Sequence, residues 1–259
     1  MRIVVKVGTS TLTYENGKLD LRTIQNLVRV LSDLKNRGHE VILVSSGAIT
    51  VGASKLKLAE RPSSSEKKQA AAAVGQSELM SIYDEMFSGY GYTVGQILLT
   101  KDDVDIPKRK AHIINTFSEL LNYNCVPIIN ENDSVEVEEI KFGDNDTLSA
   151  IVAVCTNSDI LIMLSDIYSL YDSDPHKNPN AKPIKVVDKI DDKIKALGGG
   201  VSSKVGTGGM YTKIKAAQIA TSNGIDTYIA FGKTPDIIYD ILEGKKDVGT
   251  LFRGHKSNQ

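Results

Sequence analysis

The stretch RIVVKVGTS, residues 2–10, is an apolar, β-branched run that stops at a glycine. Six residues, four of them apolar and β-branched, closed by Gly8 read as a buried strand. The pattern recurs in EVILVS (40–45), which runs straight into SGAI, and in YTVGQILL (92–99), CVPIIN (125–130), ILIML (160–164) and DTYIAF (226–231). Between the first two strands, Leu21, Ile24, Leu27, Val28, Leu31 and Leu34 recur at helical spacing, and Gly38 is the stop. Further helices are expected around 65–87 and 108–122, after GDND, from about 211, and in a short piece near the end. These strands are near-continuously apolar, where a sheet wetted on one face would alternate. Joined by amphipathic helices, they predict an α/β fold with a mainly parallel open sheet covered on both faces. The polar run ERPSSSEKKQ (60–69) is expected to be a solvated connection, and no linker divides the chain, so 1–259 is read as one domain.

Composition excludes several classes. With 31 Lys and Arg against 32 Asp and Glu, the formal net charge is −1, without the basic excess of a nucleic-acid binder. No apolar run approaches the roughly 18 residues of a membrane span, and the amino terminus lacks a signal-peptide core, so a cytoplasmic protein is expected. Cys125 and Cys155 stand far apart in apolar surroundings and read as buried structural thiols. His39, His112, His176 and His255 show no metal-ligand spacing.

In open α/β sheets, ligands gather at the carboxyl ends of the strands. Here GTS follows the first strand, SSGAI the second, NEND the strand CVPII, and SD the strand ILIML, which implies one shared cleft. Lys6 sits inside a strand, where an unpaired lysine is rare, beside Gly8, Thr9 and Ser10, whose amides and hydroxyls suit phosphate. The turn at Ser45-Ser46-Gly47 serves equally as an anion site at a helix start or as an ordinary serine cap. NEND (130–133) and GDND (143–146) concentrate carboxylates and amides that suit an amino acid's ammonium and carboxylate, an Mg²⁺ ion, or simply their own turns. KVGTGGMYTK (204–213) is not a Walker A loop, because Ile214 follows Lys213. Its glycines still permit amides to converge on an anion, with Lys213 on the first turn of a helix, although by itself the stretch reads slightly better as a plain flexible loop.

Taken in order, VVKVGTS, VSSGAI, AVGQ (73–76), GQILLT (95–100), VPIINEND, FGDNDTLSA, LYDSDP (170–175) and GTGGMYTK resemble the amino acid kinase family, and within it the glutamate kinase branch. The resemblance covers almost the whole chain but not the C-terminal PUA domain of many bacterial relatives. It implies a three-layer αβα sandwich, with an N-terminal lobe (about 1–155) for the amino acid and a C-terminal lobe (about 156–259) for the nucleotide. It further implies ATP-dependent phosphorylation of the L-glutamate γ-carboxylate, with MgATP as co-substrate. Carried over by position, Lys6 and Lys213 would neutralise the transferring phosphoryl group and Asp146 would orient them. Ser46, Gly47, Asn130, Asp133 and Asn145 would contact glutamate. Lys6, Ser165, Asp166 and the run Thr207, Gly208, Gly209, Met210, Tyr211, Thr212 and Lys213 would hold the nucleotide. A homo-oligomer, and handover of the labile product to glutamyl phosphate reductase, are implied as well, with neither nucleic acid nor membrane as a partner.

Overall fold

In the computed structural model, which describes residues 1–135, 144–175, 177–199 and 209–255, the chain alternates strand and helix from its first residues. Strand β1 (Arg2–Val7) leads through Gly8 into the single turn α1 (Thr9–Leu12), and α2 (Leu21–Asn36) follows, capped by the Asp20 carboxylate on the Thr23 amide. Then come β2 (Glu40–Ser45), α3 (Ala48–Lys55) and α4 (Ser65–Ser88). The expected loop at 60–69 is therefore only half loop: Ser64 caps the Lys67 amide, and the helix begins at Ser65. Next are β3 (Val94–Leu99), α5 (Lys101–Asp105), α6 (Pro107–Asn122) and β4 (Val126–Glu131). Pro107 opens α6, where its missing N–H costs nothing.

The second half runs α7 (Asn145–Cys155), β5 (Ile160–Ser165), the short strands β6 (Leu170–Tyr171), β7 (Pro183–Ile184) and β8 (Val186–Val187), then α8 (Asp192–Leu197) and α9 (Met210–Thr221). It closes with β9 (Asp226–Phe231), α10 (Ile237–Leu242) and β10 (Thr250–Phe252). Beyond the expected final helix, β10 pairs antiparallel with β9. Three residues are too few to carry a period, which is why the sequence did not announce it.

The eight-stranded sheet has the order β3-β4-β2-β1-β5-β9-β10-β8, parallel except at the β9–β10 pair, and β6 and β7 form a separate ribbon. Because successive strand residues point to opposite faces, β1 and its neighbours feed two cores. Ile3, Val5 and Val7 pack with Leu43 and Ile162 against α2, α4 and α10. Val4 packs with Ile42, Leu161 and Met163 against the face that carries α6, α7 and α9. Lys6 shares the parity of Val4, so the period alone directs it towards α7 and α9. Among the described residues, no helix is long and apolar enough to cross a membrane.

Candidate active site

Lys6 lies next to the end of the central strand β1, paired in register with Val44 of β2 and Met163 of β5. Only 5% of it is exposed, so its ammonium requires a counter-charge. Asp146, fully buried on the first turn of α7, supplies it: Lys6 Nζ lies 2.6 Å from Asp146 Oδ1. The other carboxylate oxygen meets the first turn of α9, with Lys213 Nζ at 3.2 Å and the Thr212 hydroxyl, which donates at 2.7 Å. Burial pushes the Asp146 carboxyl up, but the lysines, Lys6 ahead of Lys213, outweigh it and hold the group below its ordinary range. Burial also depresses the Lys6 ammonium; Asp146 opposes that and Lys213 adds to it. Two cations share this one anion, and the Asp144 carboxylate is close enough to act on Lys6 as well.

The residue before Asp146 belongs to a different set. Asn145 Nδ2 donates to Ser46 Oγ at 2.9 Å and to Asn130 Oδ1 at 3.0 Å. The direction of this chain is fixed by a backbone group, because Asn130 Oδ1 also accepts the Glu131 amide at 2.9 Å and so must be oxygen. Asn130 Nδ2 therefore faces Gln76 Oε1 at 3.0 Å, and Gln76 Nε2 faces Gln96 Oε1 at 3.3 Å. With both Asn145 amide hydrogens committed, Asn145 Oδ1 is a buried acceptor without a hydrogen-bond partner among the described residues. Nearby, Ala48, Gln76, Leu98, Glu131, Asp133 and Ser134 line a small cavity.

Local structure explains these placements. Asp144 caps α7 by accepting the Thr147 amide at 2.6 Å, which sets Asn145 and Asp146 on the first helical turn. Burial, opposed by that amide and reinforced by Asp146, raises the Asp144 carboxyl above its ordinary range. Gly47 takes a left-handed backbone, φ 105°, at the start of α3, a conformation that glycine adopts without strain. At the far side of β1, Ser165 Oγ donates to Asp166 Oδ1 at 3.0 Å at the end of β5. Gly209 precedes α9, with Met210 half-buried and Tyr211 exposed. Thr207 and Gly208 lie outside the described residues.

The structure thus brings Lys6, Lys213, Asp146 and Thr212 into one cluster, and Ser46, Asn130 and Asn145 into an adjoining one. Sequence reasoning quoted Gln76 and Gln96 but assigned them no role; their signal is an amide set among small or apolar residues, in AAAAVGQ and VGQILL. Cys155 is buried as expected, whereas Cys125 is only half-buried, at the entrance to β4. Among the described residues, no three His, Cys, Asp or Glu side chains are grouped to hold a metal ion.

Comparison with known proteins gives this geometry a family. The chain is 52% identical over 259 residues to a protein named Glutamate 5-kinase from Clostridium perfringens, covering 98% of this chain and 96% of that one. It is 54% identical over 251 residues to a protein of the same name from Clostridium acetobutylicum, covering 97% and 94%. Among solved structures, a carbamate kinase from Giardia lamblia bound to AMP-PNP matches with a TM-score of 0.67 at 18% identity, covering 98% of each chain. An isopentenyl phosphate kinase from T. acidophilum, in a product complex, matches at 0.65 and 17%, covering 98% of this chain and all of that one. The family model described as amino acid kinase family matches residues 1–230, and the chain belongs to that family.

Proposed function

We propose that this chain transfers the γ-phosphoryl group of MgATP to the γ-carboxylate of L-glutamate, giving γ-glutamyl phosphate and ADP, the first step of proline biosynthesis. The observation that carries this reading is the split between consecutive residues on α7. Asn145 presents an unpaired acceptor among amides, while Asp146 holds two ammonium groups. One side suits the amino acid and the other suits a polyphosphate.

The chemistry asks for little else. A carboxylate with an ordinary pKa of about 4.3 is already ionised at neutral pH, so no general base is needed. One of its oxygens forms a bond to the γ-phosphorus; the bond from that phosphorus to the β-phosphate oxygen breaks, and ADP leaves with the electron pair. The barrier is the approach of one anion to another, and positioned positive charge lowers it. Lys6 and Lys213 supply that charge and Asp146 holds them. Ser165 and Asp166 at the end of β5, with Gly209–Lys213, are assigned to the nucleotide. Thr207 and Gly208 continue that assignment on sequence grounds alone. Mg²⁺, which is held elsewhere by one or two carboxylates plus substrate phosphates, fits here as a metal that arrives on ATP.

On the amino acid side, Asn145 Oδ1 accepts the α-ammonium, and Ser46, Gly47, Asn130 and Asp133 complete the pocket. We assign the N-terminal part of the chain to glutamate and the C-terminal part to the nucleotide, in a cytoplasmic homo-oligomer that hands its labile acyl phosphate to a reductase. The test is kcat/KM under saturating MgATP. Aspartate is one methylene shorter and places its carboxylate about an ångström or more short, which costs on the order of 10²-fold. N-acetylglutamate replaces the ammonium with a neutral amide N–H and adds an acetyl group, which loses a charge-assisted hydrogen bond worth about 1.5–3 kcal/mol. If either compound is the better substrate, the assignment to glutamate is wrong.

A further inference from the structure

Lys233 stands outside every residue set assigned above, yet it touches the segment that follows β1. Its ammonium donates to the Thr11 carbonyl of α1 at 3.0 Å and lies 3.1 Å from Asp20 Oδ2. Asp20 also caps α2 through the Thr23 amide and hydroxyl, accepts the Tyr14 hydroxyl at 3.2 Å, and donates its own amide to Leu12 O at 2.8 Å. The Tyr14 ring centroid lies 6.0 Å from Lys233 Nζ. All of these contacts converge on α1 and its flanks.

The residue before Lys233 shows how close the two segments come. Gly232 donates to Ser165 O at 2.7 Å, which places it beside the Ser165-Asp166 pair. A side chain there would stand 2.9 Å from the Thr11 side chain and 3.0 Å from Leu164, so the position has no room for one. In the sheet order, β5 lies between β1 and β9. Helix α1 therefore leaves β1, crosses the end of β5 and is fastened at the end of β9. Its first residues, with Gly8, form the turn beside Lys6; a Cβ on Gly8 would lie 3.5 Å from Lys6 Nζ.

We propose that Lys233, through Asp20 and the Thr11 carbonyl, is a positioning residue that holds the Gly8–Ser10 turn at the height required by the nucleotide phosphates. An exposed ion pair by itself contributes little. This one is different in kind, because the Asp20 side chain is only 10% exposed and the second bond of Lys233 goes to the backbone of the turn's own helix. The proposal rests on the reading that this turn and Ser165-Asp166 flank the polyphosphate.

The experiment compares Lys233→Ala, Lys233→Arg and Asp20→Asn with the parent, and Asn keeps the cap on α2 while removing the charge. Loosening the turn should raise KM for MgATP about tenfold and weaken MgADP binding in calorimetry equally, with KM for glutamate unchanged. Lys233→Arg should recover most of the loss, and the double variant Lys233→Ala/Asp20→Asn should be no worse than either single one. MgADP affinity and MgATP KM within twofold of the parent would overturn the proposal. So would a fall in kcat and melting temperature with both KM values intact, which marks a purely structural pair. If the parent phosphorylates no amino acid yet Lys233→Ala still weakens MgADP binding, the functional reading falls and the clasp stands.

Discussion

Asp146 holds two ammonium groups with one carboxylate, so its removal and the removal of either lysine have different consequences. On the proposed mechanism, Lys213→Ala deletes charge that acts mainly as the phosphoryl group transfers. It should lower kcat by about 10²–10⁴ with a smaller change in glutamate KM, and Lys6→Ala should behave alike. Near-normal turnover in either variant takes that lysine out of the mechanism. Asp146→Asn instead leaves two buried ammonium groups facing each other and should destabilise the ligand-free protein by about 3–5 kcal/mol at neutral pH. The pH dependence follows from the sign of the shift. The carboxyl is held below its ordinary value of 3.8 in the folded state, so the stability it contributes is fully present above that pH. It is lost as pH falls through the lower folded value. Denaturant melts should therefore show the gap between parent and Asp146→Asn closing only below 3.8; a gap that closes nearer neutrality contradicts the pairing.

At the level of elements, the crossing of α3 and α4 sets the floor of the small cavity beside Gln76, the proposed amino acid pocket. A Cβ on Gly52 would lie 1.7 Å from Ala71 O, and one on Gly75 would lie 1.8 Å from Ala48 O, both backbone atoms that cannot swing aside. The helices meet at backbone distance, which brings Gln76 to Asn130 and Ala48 to the cavity. Gly75→Ala should cost about 1–3 kcal/mol or more, as overpacking does. Because it also displaces Gln76, glutamate KM should rise more than MgATP KM. An unchanged melt would show that the helices separate freely. The long helix was expected around 65–87, but the serines before it read as loop, and only the structure shows Ser64 as its cap. The crossing was not, because two glycines in two helices say nothing of each other until the helices pack.

Across the whole molecule, the proposed function puts the two ligands on neighbouring parts of one sheet crest, where they would bind only the folded chain. Each at about 100 times its dissociation constant should add roughly 2.7 kcal/mol of stability. For a chain of this size that corresponds to a rise of roughly 5–10 °C in melting temperature for MgADP or for glutamate alone. Glutamate should still produce its rise in Lys233→Ala, while the rise from MgADP shrinks. A melting temperature indifferent to both ligands would contradict the site. The parallel order of six of the strands was legible for a whole-molecule reason as well: strands buried on both faces must be apolar at every position. The edge strand β8 and its neighbour β10 have only two and three residues, too few to leave a trace in the pattern.

What the sequence determined by itself was everything set by local periodicity and by residue chemistry. It marked the six long strands, the main helices, the polar turns at the strand ends and Lys6 as a lysine that needed a partner. No local pattern says who the partner is; the family resemblance implied Asp146, and the tertiary structure brings it to the lysines. Asp146 reaches Lys213 across 67 residues, and Asn145 reaches Ser46 across 99. Both contacts depend on strand register and on which helix faces lie together, neither of which a single segment encodes. The orientation of the amide chain is more remote still. It follows from one backbone N–H at Glu131, fixed when β4 entered the sheet, and it is this that leaves Asn145 presenting an acceptor. A turn rich in Asn and Asp could have served itself; packing instead ties it to β2 and β4 and leaves one buried acceptor over.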